Sequence, residues 1–140
     1  MSETINPHHA PEVMTLHRSL WVGRAMSAFV AIALAADGTI QLFAPAQIAS
    51  MLQETGFAMD LTRVVGPIVL GCAILYAIPA TAVLGAILVT GFLGGAICAH
   101  IRIGELGSPP ELFSLLLGAA AWGGLYLRDP RIRALLPITH

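Results

Sequence analysis

Two residues, Asp37 and His100, carry ionisable groups inside long apolar stretches of this 140-residue chain. A carboxylate or imidazole in such a setting binds a polar group, exchanges a proton with it, or pairs with another side chain, because a charge left alone in hydrocarbon is expensive. Asp37 lies about six residues, roughly 9 Å, inside the end of its stretch. Something must therefore offset its desolvation. His100, Arg102 and Arg63 reach a matching depth and are its expected partners, while Gln41 lies one turn beyond Asp37 on the same helix face. Asp37, Gln41, His100, Arg102 and Arg63 form the candidate ligand-binding set, with Glu54, Asp60, Glu105 and Glu111 in adjoining loops. Two readings stay open: a small polar pocket for a ligand, or an ion pair that fixes the first helix against the third.

Other chemistries fit less well. Two-histidine haem ligation is not expected: His100 is the one histidine inside a span, His8, His9 and His17 lie towards the other membrane side, and His140 is terminal. His8-His9 is a weak metal-holding pair on a polar end. Cys72 and Cys98 form no Cys-x-x-Cys motif and read as two buried, inert thiols. All seven basic residues are arginines against eight acidic ones, a net charge of −1, so no cationic face for nucleic acid exists.

The elements that must position these groups are set by hydropathy. Hydrophobic residues make up 56% of the chain and charged ones 11%, and mean hydropathy is +0.80, which calls for lipid as solvent. Four apolar segments, Trp21–Phe43, Leu61–Ile78, Ala80–Ile101 and Pro109–Leu127, are each long enough to cross a hydrocarbon core of about 30 Å. Backbone polar groups in lipid must be satisfied internally, so the segments are helices. The expected fold is all-α, one domain, a bundle of four transmembrane helices. Ala33-Leu34-Ala35 resembles a signal-peptide cleavage site but comes late, after an acidic, histidine-bearing start, so the first segment reads as a span. Residues 1–16 read as a loosely ordered segment.

Boundaries carry their own signals. Ile78-Pro79-Ala80-Thr81 allows only a tight turn, making the second and third spans an antiparallel hairpin. Ser108-Pro109-Pro110-Glu111 predicts a capping box opening the fourth span. Pro45–Thr55 places Ile48, Met51 and Leu52 at helical spacing before Gly56, a short interfacial helix that could act as a lid between the first two spans. Asp129-Pro130 caps another short helix, with Arg131 and Arg133 towards headgroups and Ile132, Leu135 and Leu136 towards lipid or bundle. Five arginines (18, 24, 128, 131, 133) against two (63, 102) favour both termini in the cytoplasm. The polar residues then gather at the outer mouth. Trp21, Trp122 and Tyr126 read as interface anchors and bundle packing on the cytoplasmic side. Tyr76 reads as an anchor too, with a ligand-facing hydroxyl as the alternative. Gly91-x-x-x-Gly95, Ala119-x-x-x-Gly123 and Ala120-x-x-x-Gly124 suit close helix approach inside the bundle, or a homodimer contact.

A family resemblance rests on Gly23-Arg24 before a helix ending in Asp37-Gly38, on the run from Ala73 to Ala86, and on Thr90-Gly91-Phe92-Leu93-Gly94-Gly95-Ala96 leading to His100-Ile101-Arg102-Ile103-Gly104. Over roughly Trp21 to Pro137 the chain resembles the DoxX-like family of bacterial four-helix membrane proteins. The resemblance implies a bacterial inner-membrane protein linked to quinone or thiol redox chemistry, with Asp37, His100 and Arg102 as its polar residues. Gln41 stands where a basic residue often follows the aspartate, which leaves Asp37 without a partner on its own helix. The expected function is binding of a quinone-like or other small lipophilic ligand at the outer face, His100 donating a hydrogen bond to a carbonyl and Asp37 tuning its protonation. The alternative is a non-catalytic scaffold that binds a partner chain. Whether the chain is an enzyme is left open.

Overall fold

The computed structural model describes residues 10–135, and the side chains of residues 17–135. The expectations for residues 1–9, including His8-His9, and for Leu136 and His140 lie outside the described residues. Six α-helices follow in order: α1 (Ala10–Phe43), α2 (Ala49–Thr55), α3 (Thr62–Ala77), α4 (Ala82–Arg102), α5 (Pro109–Arg128) and α6 (Pro130–Leu135). Among the described residues there is no strand, and α1, α3, α4 and α5 are long and apolar enough to cross a membrane. With 34 residues, α1 is about 51 Å long. It therefore outreaches the hydrocarbon layer, continuing on the amino-terminal side of the expected span to Ala10.

The four long helices close in a ring: α1 lies against α3 and α5, and α4 against the same two. Their shared interior holds Val30 and Leu34 of α1, Val69, Ala73 and Tyr76 of α3, Ala86, Val89 and Leu93 of α4, and Leu117, Ala121 and Leu125 of α5. The outside is equally apolar. Ile32 is 68% exposed, Ile74 60% and Leu116 58%, a surface that only acyl chains can cover without cost.

Glycine sets how closely the helices approach, though the glycines used differ from those the small-residue motifs single out. A Cβ on Gly38 would come 3.0 Å from Gly66 O, and one on Gly124 would come 3.1 Å from Gly23 O, so α1 crosses α3 and α5 nearly backbone to backbone. At Gly85 a Cβ would collide with the backbone of Leu75 and Tyr76, which fixes the α3–α4 hairpin. Gly91 and Gly95 meet nothing within 4 Å. Their face of α4 is open, so they do not pack inside the bundle as expected. Ala120-x-x-x-Gly124 does, through Gly124.

Four local expectations meet the structure differently. The turn at 78–81 forms as expected, closed by Thr81 N donating to Ile78 O at 3.1 Å and Thr81 Oγ1 donating to Leu75 O at 2.8 Å. The capping box at α5 does not. Ser108 makes no side-chain cap, and Glu111 Oε2 accepts from Gly107 N at 2.7 Å, one residue beyond the expected donor. Pro109 and Pro110 leave Glu111 N as the one first-turn amide the serine could reach, and the glutamate carboxylate is drawn instead to Gly107, which stands at φ 77°. Cys72 is buried but Cys98 is exposed on the outer face of α4, against the reading of two buried thiols. At α6, Asp129 Oδ1 accepts from Arg131 N at 2.9 Å, and Ile132 is buried while Arg131 and Leu135 are exposed, as the spacing suggested, but Arg133, expected towards headgroups, is half-buried with its Nε enclosed.

Candidate functional site

Two adjoining cavities occupy the half of the bundle where α1 and α4 end and α3 and α5 begin. The larger, about 390 Å³, lies under α2. Its walls include Ile48, Met51 and Leu52 from the short helical segment, Val65 and Ile68 from α3, and Gly91, Gly95 and His100 from α4. Ile48, Met51 and Leu52 thus form the expected inward face, and the stop at Gly56 is real, with φ 72°. Because Ile68, Gly91 and Gly95 are themselves exposed, the cavity opens sideways between α3 and α4. The smaller cavity, about 260 Å³, lies between α1, α4 and α5 and is lined by Leu34, Asp37, Gln41, Leu93, His100 and Ser114, among others. Gln41, Met51, Phe92, Ala96 and His100 line both.

Asp37 and Gln41 on α1 and His100 on α4 are therefore gathered on one cavity by helices that do not neighbour each other in the ring. Asp37 finds a different partner from those expected. Gln41 Nε2 donates to Asp37 Oδ2 at 2.9 Å, a contact the four-residue spacing brings about by stacking the two side chains on one helix face. The expectation that Gln41 leaves Asp37 without a same-helix partner is thereby reversed. Among the described residues Asp37 forms no ion pair.

His100 pairs instead with Glu105, Nδ1 to Oε2 at 2.7 Å. The backbone arranges this. Glu105 N donates to His100 O at 3.1 Å and Gly104 N to Ile101 O at 3.0 Å, and Gly104 sits at φ 84°. These are the paired bonds of a Schellman stop, which folds the chain back so that the residue after the glycine lies against the helix it has just left. The expectation that Asp37 is the carboxylate acting on the imidazole meets a different contact: the carboxylate bonded to the ring is Glu105. The side chains are 9% and 39% exposed, so the pair links the cavity wall to the aqueous surface.

Arg102 lines neither cavity. Its Nη2 donates to Thr55 O, and its guanidinium carbon lies 5.7 Å from the Phe57 ring centre, so it straps the end of α2 to α4. Arg63 stands exposed at the start of α3 and also lines neither cavity. Tyr76 is neither ligand-facing nor an anchor. Fully buried, it donates from Oη to Ala121 O at 2.8 Å and meets Ser27 Oγ at 3.1 Å, joining α3, α5 and α1. Trp21 is exposed and donates to His17 Nε2 at 3.0 Å, whereas Trp122 is half-buried and donates to Thr90 Oγ1 at 2.9 Å, tying α5 to α4.

The arrangement has a definite chemical capacity. A carboxylate only accepts, so the hydrogen between His100 and Glu105 belongs to Nδ1. The neutral ring then offers Nε2 as an acceptor, and the cationic ring offers it as a donor. Asp37, with Oδ2 taken by Gln41, has Oδ1 to accept from a hydroxyl. Among the described residues no cluster of three or more histidine, cysteine or carboxylate side chains could hold a metal ion.

Four membrane-crossing helices around a laterally open cavity define a multi-pass integral membrane protein. The chain belongs to the DoxX-like family, whose model matches residues 25–124. No curated protein and no solved structure matches it.

Proposed function

We propose that this protein binds a small, lipophilic, quinone-like molecule in the joined cavities and serves redox chemistry in the bacterial inner membrane, with both termini cytoplasmic. The reading is carried by one observation: an apolar cavity open towards lipid runs up to three convergent polar residues, Asp37, Gln41 and His100. A ligand dissolved in the bilayer enters between α3 and α4 without crossing water, its apolar body against Ile68 and Phe92. A carbonyl oxygen at His100 accepts from Nε2 of the cationic ring, and the hydroxyl of the reduced form donates to Nε2 of the neutral ring. One proton on His100 thus suits it to either form, and Glu105 is the outlet for that proton to water. The arginine bias, five against two, supports the orientation.

The test is a titration of the detergent-solubilised chain with a short-chain ubiquinone, read by tryptophan fluorescence. With the corresponding quinol titrated in parallel, His100→Ala is expected to weaken binding of the quinone, and Asp37→Asn binding of the quinol whose hydroxyl its carboxylate accepts from, each by roughly 10- to 100-fold, the value of hydrogen bonds to charged groups. Unchanged binding in both folded variants leaves the alternative, a scaffold that meets a partner helix or a second copy along the open Gly91 and Gly95 face of α4.

A further inference from the structure

At the opposite end of the bundle a third cavity, about 470 Å³, is lined by Arg24 of α1, Pro79, Ala80 and Ala82 around the α3–α4 turn, Leu125 and Arg128 of α5, and Asp129 and Arg131. Three arginines and one aspartate line it, and among the described residues none of the three arginines is in an ion pair. Asp129 is already engaged with Arg131 N. Arg128 is held in place by donating from Nη2 to Tyr76 O at 3.2 Å and by lying 5.4 Å from the Tyr76 ring centre, while its buried Nε–H has no hydrogen-bond partner. Arg24 lies beside the Trp21 ring at 5.8 Å.

Depth along the helices says what such a site meets. Arg24 is nineteen residues before Phe43, about 28 Å along α1 at the usual helical rise. That is close to the thickness of a hydrocarbon core, so with Phe43 at one edge of the core the cavity falls at the level of the phosphates of the other leaflet. Its other walls are apolar, and Ile78 and Val83, flanking the turn, are exposed. Acyl chains have a path down from it.

We infer that this cavity is a binding site for the phosphate of an anionic phospholipid headgroup, held between Arg24, Arg128 and Arg131 with the acyl chains along the α3–α4 hairpin. Basic pockets between membrane helices bind anionic lipids in this manner, and the guanidinium fork matches two phosphate oxygens at once. The site is independent of the cavities at the other membrane face.

The full chain in detergent is titrated with dihexanoyl-phosphatidylglycerol, with dihexanoyl-phosphatidylcholine and inorganic phosphate as parallel arms, and bound molecules are counted by native mass spectrometry. Phosphatidylglycerol is expected to bind one to one and more tightly than the other two. Arg24 and Arg131 are exposed, and the double variant Arg24→Gln, Arg131→Gln is expected to weaken binding by about 30-fold, roughly fivefold for each arginine near a headgroup. If that pair does not fold, Arg131→Gln alone reads the same effect at about fivefold. Undiminished phosphatidylglycerol binding in a folded variant overturns the inference. So does inorganic phosphate that binds as tightly and displaces the lipid, since the site would then serve a free anion.

Discussion

Replacing Gly85 by alanine tests the packing most sharply, with Gly91→Ala as its control. A Cβ at Gly85 would press on the backbone of Leu75 and Tyr76, atoms that cannot swing aside as a side chain can, whereas one at Gly91 meets nothing within 4 Å. Overpacking of this kind costs about 1–3 kcal/mol. Spreading the α3–α4 hairpin also pulls Tyr76 away from Ala121 O and Ser27 Oγ, worth about 0.6 kcal/mol for an average hydrogen bond within a membrane protein. Both substitutions exchange glycine for alanine inside a helix, so the gain in helix propensity cancels between them. The expected gap is therefore about 2–4 kcal/mol, with Gly85→Ala the less stable. Reversible unfolding in mixed detergent micelles measures it. Equal stabilities, or a larger loss at Gly91, would show that the Gly91-x-x-x-Gly95 motif governs packing and that the helix rotation described above is wrong.

Two further outcomes follow from single contacts. Gly104→Val forces a branched side chain into φ 84° and should lower unfolding stability by about 1–2 kcal/mol, while Gly104→Asn, which tolerates that backbone, should cost much less. Tyr76→Phe removes the hydroxyl joining α3, α5 and α1 and should cost about 0.6 and at most roughly 1.7 kcal/mol in the same unfolding assay; a larger loss would mean that the phenol does more than bond Ala121 and Ser27.

The spans, the tight turn at Pro79 and the inward face of the short helix over the cavity were legible in the sequence because each depends on residues close together in it. The meeting of Asp37, Gln41 and His100 on one cavity was legible for a related reason: alternating helices must end at alternate faces, so depth alone brings the end of α1 to the end of α4. Partner choice was harder to read. Depth admitted His100, Arg102 and Arg63 as partners for Asp37, but the side chain took the amide one turn away, since a contact within a helix needs no tertiary fit. Glu105 carried a signal that could have been read: a glycine four residues past His100, followed at once by a carboxylate, is the pattern of a helix stop that folds back. Glycine spacing misled for a different reason. It says which backbones are able to approach, and only the rotation of each helix decides that Gly23, Gly38, Gly66 and Gly85 do so while Gly91 and Gly95 border a cavity.

The contact between His100 and Glu105 lies within six consecutive residues and is fastened by the same turn that ends α4. It can therefore be complete before the other helices arrive. An imidazole bonded within its own turn does not have to be stripped bare of water when the end of α4 enters the bilayer edge, and its partner does not depend on the arrival of another helix.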